Sequence, residues 1–227
     1  AALLALAVMF TGCSAPAESE SGAALPDVVG SMDIRYAEQF SVDYLADGSA
    51  LAEVADGRRY LIIPDGGEVP EQLPEDVTVI SQPENIYLAS SSSMDLFSSL
   101  DCLGDILASS TPESGWKLPE IAQAMADEDI LYAGKYSSPD IELLMSEGCD
   151  LAIENMMIYH SPKTAEQIES CGIPVFIERS SAESHPLGRL EWVRLYGLML
   201  GKSDEAEKFF SEKCSLLDEV TSRESTG

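Results

Sequence analysis

Positive charge is scarce in this sequence: 13 Lys and Arg and two His stand against 40 Asp and Glu, a formal charge of −27. With no Lys/Arg cluster anywhere, there is no electropositive face to displace counterions from phosphates, which excludes nucleic acid as an expected partner. Long apolar runs are lacking as well, so a polytopic membrane protein is excluded, while 45% apolar residues are too many for a wholly disordered chain. A Walker A loop, a G-x-G-x-x-G turn and a G-x-S-x-G nucleophile elbow are absent. Two histidines cannot make a three-histidine cage, and five widely spaced cysteines without C-x-x-C exclude a zinc knuckle. The 227 residues allow one large domain or two small ones.

What is present begins with an almost wholly apolar stretch from Leu3 to Phe10, too short to span a bilayer, followed by Thr11-Gly12-Cys13-Ser14. This reads as the h-region of a secretory signal, and small residues ending in Cys resemble the lipobox at which bacterial lipoproteins are cut and acylated. Cys13 is then the lipidated residue, residues 1–13 are a signal remnant, and residues 14–31 are an acidic tether. Two acyl chains would hold the protein stably on a membrane. Of the other cysteines, Cys149 and Cys171 sit at expected helix-to-strand junctions, and Cys102, Cys149, Cys171 and Cys214 are expected to be free and packed.

Residues 32–80 read as a small antiparallel β element with a connector: Met32 to Leu45 alternates apolar and polar, and Asp47-Gly48 and Asp56-Gly57 supply turns between short strands. From Val77 the texture changes to short strands alternating with helical patterns, which argues for βαβ units and a parallel sheet. Strands are expected at Val77–Ile80, Asn85–Ala89, Ile106–Ala108, Leu131–Ala133, Leu151–Glu154 and Pro174–Ile177, and helices at Met94–Leu103, Leu118–Asp127, Pro139–Glu147 and Pro162–Ser170. The last two begin with Ser-Pro, a cap followed by proline at the first helical position, and end near Gly148 and Gly172, placed for a left-handed cap. A long helix from Leu187 to about Gly201, with Leu190, Val193, Gly197 and Leu200 on one stripe, precedes a helical run from Ser203 to Val220. The fold class is therefore α/β, with a parallel-sheet lobe at residues 81–186 followed by a long helix and preceded by the antiparallel element.

In an open parallel sheet, ligands meet the loops at the carboxyl ends of strands. Those loops carry Ser91 and Ser92 in a hydroxyl-rich turn, Tyr136 and Ser137, the run Asn155-Met156-Met157-Ile158-Tyr159-His160, and Arg179 and Ser180 leading to His185, with Arg189 just beyond. Both histidines lie in the last two loops. Arg179 and Arg189 suit anionic oxygens, because a guanidinium fork matches carboxylate and catecholate. His160 and His185 with Glu154 and Glu178 offer a mixed metal set, Met156 or Met157 with a histidine offers haem ligation, and Glu154 or Glu178 offers a secreted enzyme an acid/base group.

Residues 82–214 resemble the amino-terminal lobe and connecting helix of a bacterial ABC-importer substrate-binding lipoprotein of the class that captures ferric siderophores, haem or cobalamin. The resemblance is carried by the strand ending in a Ser-rich turn, the helix at Met94, the unit S-P-D-I-E-L-L-M-S-E-G-C-D-L-A-I-E-N, and then C-G-I-P-V-F-I-E. The segment S-H-P-L-G-R-L-E-W-V-R-L-Y-G resembles a subset that transports iron, whereas the antiparallel element at 32–64 is outside the family's core pattern. The resemblance implies two lobes joined by a rigid helix, with residues 187–227 read as the long interlobe helix and the start of a second lobe that is otherwise missing from this sequence. It also implies no catalysed reaction, no cofactor and an extracytoplasmic, lipid-anchored location. The partners it implies are an iron complex or similar small ligand and an ABC permease, onto whose arginines Glu142 would dock. Tyr136, Ser137 and the loops at Asn155–His160 and Arg179–His185 fall where the family lines its cleft.

Overall fold

The chain folds around two five-stranded sheets and the pair of helices that covers them. A computed structural model describes residues 24–224; Cys13, the apolar stretch before it and the first part of the tether lie outside the described residues. The first sheet runs in sequence order through β1 (Val28–Ser31), β2 (Phe40–Leu45), β3 (Ala50–Val54), β4 (Arg59–Ile63) and β5 (Val77–Ser81). Its first four strands pair antiparallel, as the Asp-Gly turns require, while β5 crosses over to lie parallel to β4. The strand expected at Val77 thus joins this sheet and not the parallel one. β1 falls within the segment read as tether: all four of its residues are exposed, so no alternation betrays it.

Alternation decides which faces are buried. Phe40 and Val42 of β2, Ala50, Ala52 and Val54 of β3, and Tyr60 and Ile62 of β4 enter the main core, and Leu45, Leu61 and Ile63 pack on the opposite face. The main core continues without a break into the second sheet through Ile86, Leu88, Leu151, Ile153 and Phe176, so one core serves both.

The second sheet is wholly parallel, with β6 (Ile86–Leu88), β7 (Ile106–Ser109), β8 (Leu131–Tyr132), β11 (Leu151–Asn155) and β12 (Val175–Glu178) in the order β12-β11-β6-β7-β8. A two-residue ladder between β9 (Gly134–Lys135) and β10 (Ser138–Pro139) lies beyond β8. Helices α1 (Met94–Ser99) and α2 (Pro119–Ala126) send Met94, Phe97, Ile121 and Met125 into the main core. Helices α3 (Ile141–Ser146) and α4 (Pro162–Ser170) cover the other face with Leu144, Ala165 and Ile168. Gly148 and Gly172 adopt φ of +75° and +82°, the left-handed geometry read from the sequence. Helix α3 starts two residues later than Ser138-Pro139 predicts, because Asp140 Oδ1 accepts the Leu143 N–H at 3.0 Å and Pro139 is held in the β ladder.

Helix α5 (Pro186–Met199) lays Trp192, Val193, Leu195 and Tyr196 on the main core, and α6 (Ser203–Glu224) packs back on it through Ala206, Phe210 and Cys214. Tyr60 bridges the two sheets: its ring centroid lies 4.8 Å from that of Phe176, and its hydroxyl accepts the Ile177 N–H at 3.2 Å on the open edge of β12. Cys102, Cys149, Cys171 and Cys214 are all free; Cys171 is only half-buried, whereas the other three are packed inside. Among the described residues no helix is long and apolar enough to cross a membrane.

Candidate functional site

Strand order locates the site. From β6 at the centre the chain winds outward to β7 and β8, then returns to β11 on the other side of β6 and continues to β12. The winding reverses between β6 and β11, so the loops leaving these two strands part and open a crevice at their carboxyl ends. A cavity of about 260 Å³ lies there, lined by residues 90–92 after β6, Asn155 at the end of β11 with Met156 and Met157 beyond it, and Ser181. A hollow of about 490 Å³ along one flank of α6 is larger, but a single helix lines it and no other element converges on it.

A fully buried carboxylate backs the cavity. Glu178, the last residue of β12, accepts hydrogen bonds from Ser90 Oγ at 2.8 Å and Ser92 Oγ at 3.3 Å on one oxygen, and from the Ser180 N–H at 2.5 Å on the other. Two hydroxyls and one backbone N–H thus converge on this carboxylate. Ser90 also accepts from Ser93 Oγ at 3.3 Å, and Ser93 Oγ lies 2.8 Å from the Tyr196 hydroxyl on α5, so the serine turn is wired to the long helix. Asn155 shapes the opposite wall: its Oδ1 accepts the Met157 N–H at 2.8 Å, starting a short 3₁₀ turn, Met156–His160, and its Nδ2 donates to the Ala89 carbonyl at 3.3 Å.

Of the residues expected from sequence, the structure brings Ser91, Ser92, Asn155 and Met156 together in this cavity. Met157, weighed as a haem ligand, joins them, as do Ser90 and Ser181, which were not singled out although the unbroken serine run was an available signal. Ser180 is buried beside them and contributes its N–H to Glu178. Tyr136 packs half-buried against the α3/α4 side, and the Ser137 carbonyl accepts Thr164 Oγ1 at 3.0 Å. Tyr159 and Arg179 are engaged elsewhere: Tyr159 donates to Asp56 at 2.5 Å, and Arg179 donates to Tyr159 and, through two nitrogens, to Gln39 Oε1, all at 3.1 Å. Both therefore tie the first sheet to the lobe. Arg189 is exposed on α5 and reaches the Glu183 carbonyl at 3.5 Å. Glu142 is exposed in the first turn of α3.

The mixed metal set is not assembled. His160 is exposed, whereas His185 stacks on Tyr36 at 4.9 Å and accepts the Leu187 N–H through Nδ1, capping α5. Among the described residues no group of three or more His, Cys, Asp or Glu side chains stands close enough to hold a metal ion. Glu154 is sealed inside β11 on the α3/α4 face with both oxygens unpartnered, and burial pushes its carboxyl up to about 8. The Tyr87 hydroxyl is also unpartnered, and burial, aided by Glu154, holds it well above the usual phenol range.

No protein-family model matches the chain. An uncharacterized lipoprotein of Methanocaldococcus jannaschii is 23% identical over 173 residues, which cover 70% of this chain and 40% of that protein. The petrobactin-binding protein YclQ of Bacillus subtilis superposes with a TM-score of 0.51 at 14% identity, over 75% of this chain and 52% of that one. A periplasmic haem-binding protein of Pseudomonas aeruginosa does so with a TM-score of 0.50 at 18% identity, over 62% and 46%. The chain thus spans about half the length of these solved structures and two fifths of the curated relative. At such identities the likeness is one of fold, and the described residues have the α/β lobe fold found in periplasmic siderophore- and haem-binding proteins.

Proposed function

We propose that this chain is part of a lipid-anchored substrate-binding protein of an ABC importer, capturing an iron complex, a ferric siderophore or haem, at the extracytoplasmic face of the membrane. The observation that carries the reading is the cavity at the switch point between β6 and β11, on a fold shared with a petrobactin-binding and a haem-binding protein. Nothing in this mechanism is catalytic: the loops after β6, β11 and β12 supply one wall of a cleft, a second lobe would supply the other, and ligand is held between them until the permease receives it. Glu142, exposed at the start of α3, is the proposed docking carboxylate, and Cys13 the proposed lipid anchor. Free metal-ion capture through His160 and His185 loses its support, because the two histidines serve separate surroundings. Cobalamin remains a competitor for the same cleft.

Tryptophan fluorescence tests this reading. Trp192 is buried beneath the first sheet and Trp116 half-buried with its N–H on the Thr111 carbonyl at 3.2 Å, so a bound ferric chelate or haem quenches them by energy transfer without touching either. Saturable quenching by a ferric siderophore or haemin, but not by the iron-free chelator, is the expected result. Quenching only by free divalent metal, abolished by His160→Ala, would replace the reading with a metal-ion receptor. No response to siderophores, haemin or cobalamin would reject the importer reading.

A further inference from the structure

The hydroxyl protons of Ser90, Ser92 and Ser93 run inward, towards Glu178, whereas the Ser91 and Ser181 hydroxyls that also line the cavity keep theirs. Ser90 Oγ donates to Glu178, and Ser92 Oγ donates either to Glu178 at 3.3 Å or to Ser90 Oγ at 3.0 Å. Ser93 donates to Ser90, which leaves the Tyr196 hydroxyl to donate to Ser93, so the chain of hydroxyls runs Tyr196, Ser93, Ser90 and ends on the carboxylate. Such chains polarise one another in the direction of the charge that terminates them. The lone pairs of Ser92, an exposed residue, are then what it offers to the opening. Asn155 has one amide hydrogen committed to Ala89, and its carbonyl oxygen is committed to the Met157 N–H. The Met156 and Met157 thioethers are weak acceptors and polarizable. No Lys, Arg or His lines the cavity, and one serine hydroxyl separates it from the Glu178 carboxylate. An anionic group entering it would find only the neutral donors of Ser91, Ser181 and Asn155, with a like charge one hydroxyl away and no cation in the lining to offset its desolvation.

We infer that this cavity takes a positively charged, hydrogen-bond-donating group, an alkylammonium or guanidinium, of its ligand. The inference rests on the reading of this cavity as the ligand site. It narrows that reading: within iron complexes it favours a chelate carrying a basic side arm over haem, whose peripheral carboxylates are anionic, or a ferric tris-catecholate. The chain's charge of −27 acts in the same direction at long range.

The test needs no natural ligand. Methionine methyl groups labelled with ¹³C are followed by NMR in the 227-residue chain during titration with butylammonium and, separately, with butyrate. Butylammonium is expected to move the Met156 and Met157 signals saturably while leaving Met145, an exposed methionine of α3, in place; butyrate is expected to move none of them. Glu178→Gln removes the charge and weakens butylammonium binding by about tenfold. Should that variant fail to fold, Ser92→Ala, at an exposed residue, is expected to weaken it severalfold with the melting temperature unchanged. Butyrate acting as strongly as butylammonium, Met145 moving in step with Met156 and Met157, or neither compound moving the signals at tens of millimolar would overturn the inference. Ferric complexes that quench tryptophan with no preference for cationic forms would sink the charge assignment alone. An ammonium preference without binding of any iron complex would sink the iron reading and leave the assignment standing.

Discussion

Glu183 and Trp192 are joined across the first turns of α5: the Glu183 Oε1 accepts the indole N–H at 2.9 Å. The same buried carboxylate accepts the backbone N–H groups of Glu38 at 2.7 Å and Gln39 at 3.1 Å, and Glu191, also buried, takes those of Arg35, Tyr36 and Ala37 at 2.9, 2.7 and 2.8 Å. Five consecutive backbone donors between β1 and β2 are thus handed to two carboxylates near α5, where no strand or helix could satisfy them. Arg194 adds a guanidinium to Glu191 at 3.1 Å. This clamp, with the shared core beneath it, fastens the first sheet to the helix that the proposed reading makes the backbone between lobes.

Removing the clamp should be costly. Glu191→Ala leaves three part-buried N–H groups without acceptors and the Arg194 guanidinium without this partner, at about 1 kcal/mol for each unsatisfied group before relaxation. A loss of roughly 3 kcal/mol is expected, lowering the thermal midpoint by about 10 °C for a chain of this size. Glu191→Gln keeps one acceptor oxygen and should fall between. A loss below about 1 kcal/mol in denaturant unfolding would mean that water replaces the carboxylate there.

Arg179 separates two roles that its sequence position leaves open. Its guanidinium is spent on Gln39 and Tyr159, and Tyr159 on Asp56 at the turn between β3 and β4. Arg179→Ala is therefore expected to lower stability by about 1 kcal/mol, the net worth of a pair of part-exposed hydrogen bonds, and to change ligand affinity less than twofold. Asn155→Ala removes a wall of the cavity as well as two comparable hydrogen bonds, so it should cost similar stability but lower affinity severalfold. A tenfold affinity loss for Arg179→Ala at unchanged stability would return this residue to the ligand site.

The parallel lobe was legible because its signals are local. Short apolar strands, glycines at Gly148 and Gly172 and the proline opening α4 each speak for their own neighbourhood. The clamp was not legible for the opposite reason. Met32, Ile34 and Tyr36 are spaced like a strand and do pack on the core, yet the backbone N–H groups from Arg35 to Gln39 are satisfied by Glu191 and Glu183, far along the chain. At the cavity, the serine run announced a hydroxyl-rich turn; which way its protons point depends on Glu178 and Tyr196, from β12 and α5, which only the tertiary fold brings to it.

Glu154 makes stability depend on pH with a sign opposite to that of a paired carboxylate. Burial raises its folded value from the ordinary 4.5 to about 8, so between these values the folded chain holds a proton that the unfolded chain has released. Stability from this group is complete below about pH 4.5, falls as pH rises, and levels off above about 8, a change on the order of a few kcal/mol. Glu154→Gln, neutral at every pH, should remove that decline and unfold at a higher denaturant concentration than the parent at pH 8. Equal pH slopes for parent and variant would show that Glu154 finds a partner or water in solution.

Gly197 sets two physical effects against each other. It lies inside α5, where alanine is ordinarily the better helix former by about 1 kcal/mol, so propensity alone predicts that Gly197→Ala stabilises the chain. The structure predicts the other sign. A Cβ at this position would press on the Ala206 methyl and stand 2.8 Å from the Lys202 carbonyl oxygen, and that carbonyl belongs to backbone whose own N–H is bonded to the Gly197 carbonyl at 2.6 Å. Neither neighbour can swing aside, so α6 would have to move off α5, at roughly 1–3 kcal/mol for an overpacked contact. The net expectation is a destabilisation of about 1–2 kcal/mol, read as a lower urea midpoint with an unchanged slope. An unchanged or higher midpoint would mean that the two helices yield easily at this crossing and that the glycine is not what sets their approach.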